Sequence, residues 1–224
     1  MSNYSPKDYD VWECENIFFL KSHPSRINKF LAHYELYKKI INLPGDILEC
    51  GVYKGSSLMR WAHFRQSLEE NKKRNIYGFD VFSSFPKDGI ESSIDKKFIE
   101  KYDDGGGVGI NEKKLQEYFT KKFFTNIDLI KGNILSTIGE FIKKKTDLKI
   151  ALLHLDMDVY EPTIHALKTF SKYMVKGGII VVDDYAVFDG ATRATDEFCK
   201  DKSLEIKKLS YHTDSSCVTS YIKC

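Results

Sequence analysis

The chain has 224 residues and a formal net charge of only +2, because 34 basic and 32 acidic residues nearly cancel. That length suits one sizeable globular core spanning 1–224, and the balance removes any general attraction to nucleic acid or anionic membrane. No apolar run approaches the ~20 residues that cross a bilayer. The start, Met1-Ser2-Asn3-Tyr4-Ser5-Pro6-Lys7, lacks a signal peptide's basic and apolar segments. Cys14, Cys50, Cys199, Cys217 and Cys224 show no C-x-x-C spacing, so a cytoplasmic protein with reduced thiols and no structural zinc is expected.

Residues 8–43 read as helical. Ser25 is the expected N-cap of a helix over 26–42, in which Ile27, Phe30, Leu31, Tyr34, Tyr37 and Ile41 recur at helical spacing. Pro44-Gly45 ends it. A short buried strand follows over 46–50, then a loop over 51–55, a helix over 56–69 and a second strand over 75–80. Residues 81–126 exceed a simple crossover. They hold Phe82-Ser83-Ser84-Phe85-Pro86, the run Asp103-Asp104-Gly105-Gly106-Gly107 and an amphipathic helix over 115–124, and read as a lid or substrate loop beside a cleft. A third strand is expected over 127–131 with a helix over 138–144, and a fourth strand over 151–155 with a helix over 162–174. Lys176-Gly177-Gly178 reads as that helix's stop, and 178–182 as the fifth strand. Segments 203–208 and 217–222 read as a closing antiparallel pair. The alternation predicts an α/β fold with a doubly wound, mostly parallel sheet.

Two apolar runs end in carboxylates: Ala151-Leu152-Leu153-His154-Leu155 in Asp156-Met157-Asp158, and Gly178-Ile179-Ile180-Val181-Val182 in Asp183-Asp184-Tyr185. Open α/β sheets bind ligands at the carboxyl ends of their strands. Four converging carboxylates repel one another unless a cation lies between them, and a hard divalent ion is the economical choice. Asp156, Asp183 and Asp184 fit the ligand roles. Adjacent strand residues face opposite ways, so Asp183 and Asp184 share an ion only if the strand ends at Val182. Either Asp158 or Asp156 is then available as general base. His154 lies inside its strand and reads as a hydrogen-bonded core histidine, and Arg193 as a helix-surface arginine.

The turn Glu49-Cys50-Gly51-Val52-Tyr53-Lys54-Gly55-Ser56-Ser57 leaves the first strand and opens a helix. It is neither G-x-G-x-x-G nor a Walker A loop, which argues against dinucleotides and nucleoside triphosphates. An acid before the glycine suits a cationic ligand. Glu49 is placed for an amine, Asp80 for two ribose hydroxyls, and Gly132-Asn133-Ile134 for an adenine edge. A ribose and an ammonium without phosphate specify S-adenosylmethionine, with Gly51, Val52, Tyr53, Gly55, Ser56 and Ser57 of the turn as its further expected contacts.

The strings Gly45-Asp46-Ile47-Leu48-Glu49-Cys50-Gly51-Val52-Tyr53-Lys54-Gly55-Ser56-Ser57, Leu155-Asp156-Met157-Asp158-Val159-Tyr160-Glu161-Pro162-Thr163 and Gly177-Gly178-Ile179-Ile180-Val181-Val182-Asp183-Asp184-Tyr185 resemble those of the macrocin O-methyltransferases, over roughly residues 26–200. The resemblance implies a Rossmann-like class I methyltransferase domain that uses S-adenosylmethionine and Mg²⁺ on a sugar hydroxyl. The insertion resembles the family only at Phe82-Ser83-Ser84-Phe85-Pro86. The expected partner is a small-molecule sugar or nucleotide-sugar, with a homo-oligomer left open. Two alternatives compete: a metal-dependent hydrolase, which leaves Glu49 and Asp80 without a role, and a non-catalytic binding module, which leaves the acidic cluster without one.

Overall fold

The computed structural model describes residues 10–70, 73–105, 107–210 and 220–224. Strands β1 (Asp46–Cys50), β2 (Ile76–Asp80), β3 (Ile127–Lys131), β4 (Ile150–Leu155), β5 (Met174–Val182), β6 (Ile206–Lys208) and β7 (Ser220–Lys223) form one sheet in the order β3-β2-β1-β4-β5-β7-β6. The first five are parallel, and β7 runs antiparallel to β5 and β6. The chain winds outward from β1 to β3, then returns and winds the other way from β4. The order therefore reverses between β1 and β4, where a crevice opens at the strands' carboxyl ends.

The period-2 alternation of the strands sorts two cores. Leu48, Tyr77, Phe79, Leu153 and Val182 pack under α6 (Ile134–Lys144), α7 (Tyr160–Phe170) and α8 (Asp189–Lys202) through Ile138, Phe170 and Phe198. Ile47, Ile76, Leu152 and Val181 face the other way, against Leu36 and Tyr37 of α2 (Pro24–Lys38), Trp61 and Phe64 of α3 (Ser56–Leu68) and Phe119 of α5 (Glu112–Lys121). Each such fully buried side chain contributes about 1.5–3 kcal/mol of transfer free energy. At the sheet's amino end, buried Arg65 donates to the carbonyls of Arg74 and Asn126 at 2.6 and 3.1 Å. Arg74 donates to those of Ile40 and Leu43 at 3.0 and 2.9 Å. These contacts satisfy backbone acceptors where strands and helices begin and end.

β1 and β3 have the bounds their apolar runs imply. Several elements differ from expectation: α5 and α7 begin before the expected 115 and 162 and end before 124 and 174, β6 is only Ile206–Lys208, and others differ as follows. The cap of α2 is His23, whose ring accepts from the Ser25 amide, with Pro24 as first helical residue, and the helix ends at Lys38. Its buried residues are Ser25, Ala32, His33, Leu36 and Tyr37, whereas Phe30 and Leu31 of the expected apolar stripe are exposed. β5 begins at Met174. Met174 pairs with Ile150 and Ile179 with Leu152, so Lys176-Gly177-Gly178 is a bulge within the strand rather than a helix stop. The insertion holds α4 (Ser93–Asp104), started by Ser92, whose hydroxyl accepts from the Asp95 amide. α6 starts earlier than expected because Asn133 caps it, accepting from the Leu135 amide at 3.0 Å. The 217–219 part of the expected tail strand lies outside the described residues, as does Cys217. A further helix, α1 (Val11–Lys21), precedes α2. No helix of the described residues is long and apolar enough to cross a membrane.

Candidate active site

The crevice between the β1–α3 turn, the ends of β2 and β4 and the start of α6 encloses about 860 Å³ of space, part of it open to solvent. Gly51, Tyr53, Asp80, Gly132, Asn133, Ile134, Asp156 and Asp158 line it, as the sequence leads one to expect. Gly51 is required twice over. Its φ is +91°, and a Cβ there would lie 1.8 Å from the Asp156 carbonyl oxygen, so only glycine lets the turn approach the end of β4. Asp80 organises the same turn: Oδ2 accepts from the Val52 and Tyr53 amides at 2.7 and 2.8 Å, and Oδ1 from the Phe82 amide at 2.7 Å. Burial raises its pKa, and those amides oppose the rise. From the insertion, Ser83, Phe85, Ile90 and Tyr102 complete the wall, and Asn133 Nδ2 donates to the Asp88 carbonyl at 3.2 Å.

Five expected cofactor contacts lie elsewhere. Val52 is buried in the core, Gly55 is the left-handed N-cap of α3, Ser56 is exposed, and none of these three lines the crevice. Ser57 and Glu49 are buried together. Glu49 alternates onto the α3 face of β1, where Ser57 Oγ and Trp61 Nε1 donate to its carboxylate at 2.8 Å each and His154 Nδ1 at 3.0 Å. In this structure the Glu49 oxygens are engaged by protein donors, and its side chain is fully buried.

The acidic residues divide into two groups. Asp156, Asp158 and Asp184 offer oxygens within 4.8 Å of one another. Asp183 turns away. Lys29 of α2 donates to its Oδ2, and its Oδ1 lies 3.4 Å from His154 Nε2 and 3.8 Å from His33 Nε2. In this arrangement Asp183 and Asp184 do not converge: Asp183 faces Lys29, His33 and His154, and Asp184 faces Asp158. β5 hydrogen bonding continues through the Asp183 amide to the Leu155 carbonyl at 2.9 Å, so strand alternation still sends the two side chains apart.

The electrostatics follow the same division. Burial, then the charges of Asp183 and Asp184, push Asp156 well above the ordinary carboxylate range. Burial with Asp156 and Asp183 raises Asp158 to about 7, and burial with Asp158 and Asp183 raises Asp184 to about 9. Asp184 Oδ2 is buried without a hydrogen-bond partner. On the other side, burial pulls His154 down, but hydrogen bonds and charge from Asp183 and Glu49 outweigh it and set it at about 10. Burial lowers His33 to about 3; it stacks on Trp61 with centroids 4.4 Å apart, and Arg60 approaches its Nδ1 at 3.5 Å. Asp183 is held well below the ordinary range, with Lys29 and His154 overcoming its burial. His33, His154 and Asp183 are also near enough to share an ion, but the Lys29 ammonium and the His154 imidazolium already supply positive charge there. The sequence reading has no place for Lys29 and His33. Their spacing of four along α2, on the face that also carries Ala32 and Leu36, was the available signal.

A doubly wound sheet closed by an antiparallel strand, with a crevice at its switch point, defines a Rossmann-like methyltransferase fold. The sequence profile of the macrocin-O-methyltransferase (TylF) family matches residues 26–220, and the chain belongs to that family. It is 25% identical over 149 residues to an 8-demethyl-8-(2,3-dimethoxy-alpha-L-rhamnosyl)-tetracenomycin-C 4'-O-methyltransferase of Streptomyces olivaceus, covering 65% of this chain and 54% of the relative. It is 24% identical over 160 residues to a demethyldecarbamoylnovobiocin O-methyltransferase of Streptomyces niveus, covering 70% and 59%. The chain thus spans little more than half the length of these curated relatives. Among solved structures it resembles apo CalS11, a TDP-rhamnose 3'-O-methyltransferase, with a TM-score of 0.71 at 23% identity, covering 97% of this chain and 87% of that one.

Proposed function

We propose that the protein transfers the methyl group of S-adenosylmethionine to a hydroxyl of a sugar or nucleotide-linked sugar, assisted by Mg²⁺. The observation that carries this reading is the juxtaposition of the crevice with the cluster of Asp156, Asp158 and Asp184. Family membership and the rhamnose named in two relatives support the sugar acceptor. The sequence reading of residues 81–126 as a lid over the crevice belongs to this proposal, as does a cytoplasmic setting with the cysteines as thiols.

In this reading Gly51, Tyr53, Asp80, Gly132, Asn133 and Ile134, which line the crevice, hold the cofactor, with Asp80 offering its remaining lone pairs to ribose hydroxyls. The fit to a hard cation rests on three crowded carboxylates with raised pKa values and on the unpartnered Asp184 Oδ2. Asp156 and Asp184 would hold it, in keeping with Mg²⁺ sites built from one or two carboxylates. The cofactor supplies an electrophilic methyl group, and the cation lowers the pKa of an acceptor hydroxyl. Asp158 alone of the three borders both the cofactor crevice and a second cleft beside Phe98 of α4 and Phe188. In this reading its carboxylate takes the acceptor's proton, with Phe98 and Phe188 lining the cleft where the acceptor would lie.

The test is methyl transfer from labelled S-adenosylmethionine to a panel of nucleoside-diphosphate sugars, with Mg²⁺ and with a chelator. Turnover that requires the cation, and that falls about 10²–10⁴-fold in Asp158→Asn with unchanged S-adenosylhomocysteine affinity, is expected. Undiminished turnover in Asp158→Asn would remove it as the base, and turnover indifferent to chelation would remove the metal.

A further inference from the structure

The second cleft, between α4 and the segment that joins β5 to α8, encloses about 730 Å³, part of it open to solvent. Asp158 lines both this cleft and the cofactor crevice. Beyond it, Phe98 and Phe188 present two rings with centroids 4.8 Å apart, tilted at 52°. Such rings are apolar platforms on which the C–H face of a sugar can lie. The charges on the walls divide by whether they are already answered. Asp95 is buried and accepts from the Tyr160 amide at 2.9 Å. Asp189 pairs with Arg193 at 3.3 Å along α8. Lys97 and Lys101 are exposed, line the cleft together and make no ion pair among the described residues. Standing four residues apart on α4, they are neighbours on one helix face, about 6 Å apart along its axis.

We propose that the acceptor is an anionic sugar, whose phosphate or carboxylate is held by Lys97 and Lys101 while its ring lies against Phe98 and Phe188. This rests on the methyl-transfer reading of Asp158 and narrows it: a neutral glycoside leaves both ammonium groups unanswered and is a poor acceptor. Lysines hold anions as point charges rather than through a fixed fork, so a phosphate linkage and a uronate carboxylate both suit the pair. The anion sits on the part of the acceptor turned away from Asp158, because a second negative charge beside that carboxylate would be repelled.

Calorimetric titration of the full chain with uridine diphosphate-glucose, methyl glucuronide and methyl glucoside, in the presence of S-adenosylhomocysteine and Mg²⁺, tests this. At least one anionic probe is expected to bind tenfold or more tightly than the neutral one, and which of the two does so separates phosphate from carboxylate. Lys97→Gln with Lys101→Gln should raise that Kd about tenfold and remove most of its salt dependence. Circular dichroism and S-adenosylhomocysteine affinity should be unchanged, and Lys97→Arg with Lys101→Arg should retain binding. Equal affinity for the three probes, no binding of either anionic probe at millimolar concentration, or an affinity untouched by the glutamine pair would overturn the proposal. So would a loss of S-adenosylhomocysteine affinity in that pair, which would give the lysines to the cofactor's own carboxylate. Binding is read without turnover. An anion-selective cleft in a protein that transfers no methyl group would therefore remove the role of Asp158 and keep the anion site, whereas a transferase indifferent to both lysines would do the reverse.

Discussion

Asp183 and Asp184 are adjacent in the chain, yet one is held well below the ordinary carboxylate range and the other is raised to about 9. Strand alternation separates them, giving Asp183 to Lys29 and His154 and leaving Asp184 beside Asp158. The two should therefore respond differently to substitution. Saturating Mg²⁺ at a hundredfold excess over its Kd should stabilise the wild-type protein by roughly 3 kcal/mol in thermal melts. Asp184→Asn should abolish that upshift. Asp183→Asn should keep it while lowering the metal-free melting temperature, because Lys29 and His154 lose their buried counter-charge. The reverse pattern would return Asp183 to the ligand set. Glu49 allows a second contrast. Glu49→Gln should cost about 3 kcal/mol of stability by weakening a buried network, yet leave S-adenosylhomocysteine affinity nearly unchanged by calorimetry. A hundredfold loss of affinity without destabilisation would restore the amine role.

At the scale of elements, the β1–α3 turn depends on backbone geometry more than on its side chains. Gly51→Ala places a methyl group against the Asp156 carbonyl at a positive φ. It should cost at least about 2 kcal/mol and abolish cofactor binding, read by melting temperature and calorimetry together; a variant that binds normally would mean the turn is not the cofactor's floor. What was legible in the sequence follows from how local each signal is. β1 and β3 were readable to the residue because each is a short run bounded by turn residues. The glycine turn, Asp80 and the Gly132-Asn133-Ile134 segment were readable because each follows a strand. The bulge at Gly177 was not, since a glycine pair after a helix gives the same local signal whether the strand has begun or not. The inward face of α2 was hidden for a different reason. Phe30 and Leu31 of its apolar stripe point outward, and its inward face carries Lys29 and His33, which meet Asp183, 154 and 150 residues further along the chain. Long-range pairing of this kind leaves no periodic trace.

At the scale of the whole molecule, the sheet order places two sets of groups on either side of one crevice: turns suited to a nucleoside on the β1–β2–β3 side, and the acidic cluster at the ends of β4 and β5. Cofactor and cation should therefore bind separably, since Asp80 and the glycine turn share no side chain with Asp156 or Asp184. Calorimetric titration of S-adenosylhomocysteine into the full chain, first with a chelator and then with Mg²⁺, tests this most directly. The expected result is micromolar binding that survives chelation and is lost on Asp80→Ala. No binding under either condition would contradict the assignment of the crevice and, with it, the proposed methyl transfer.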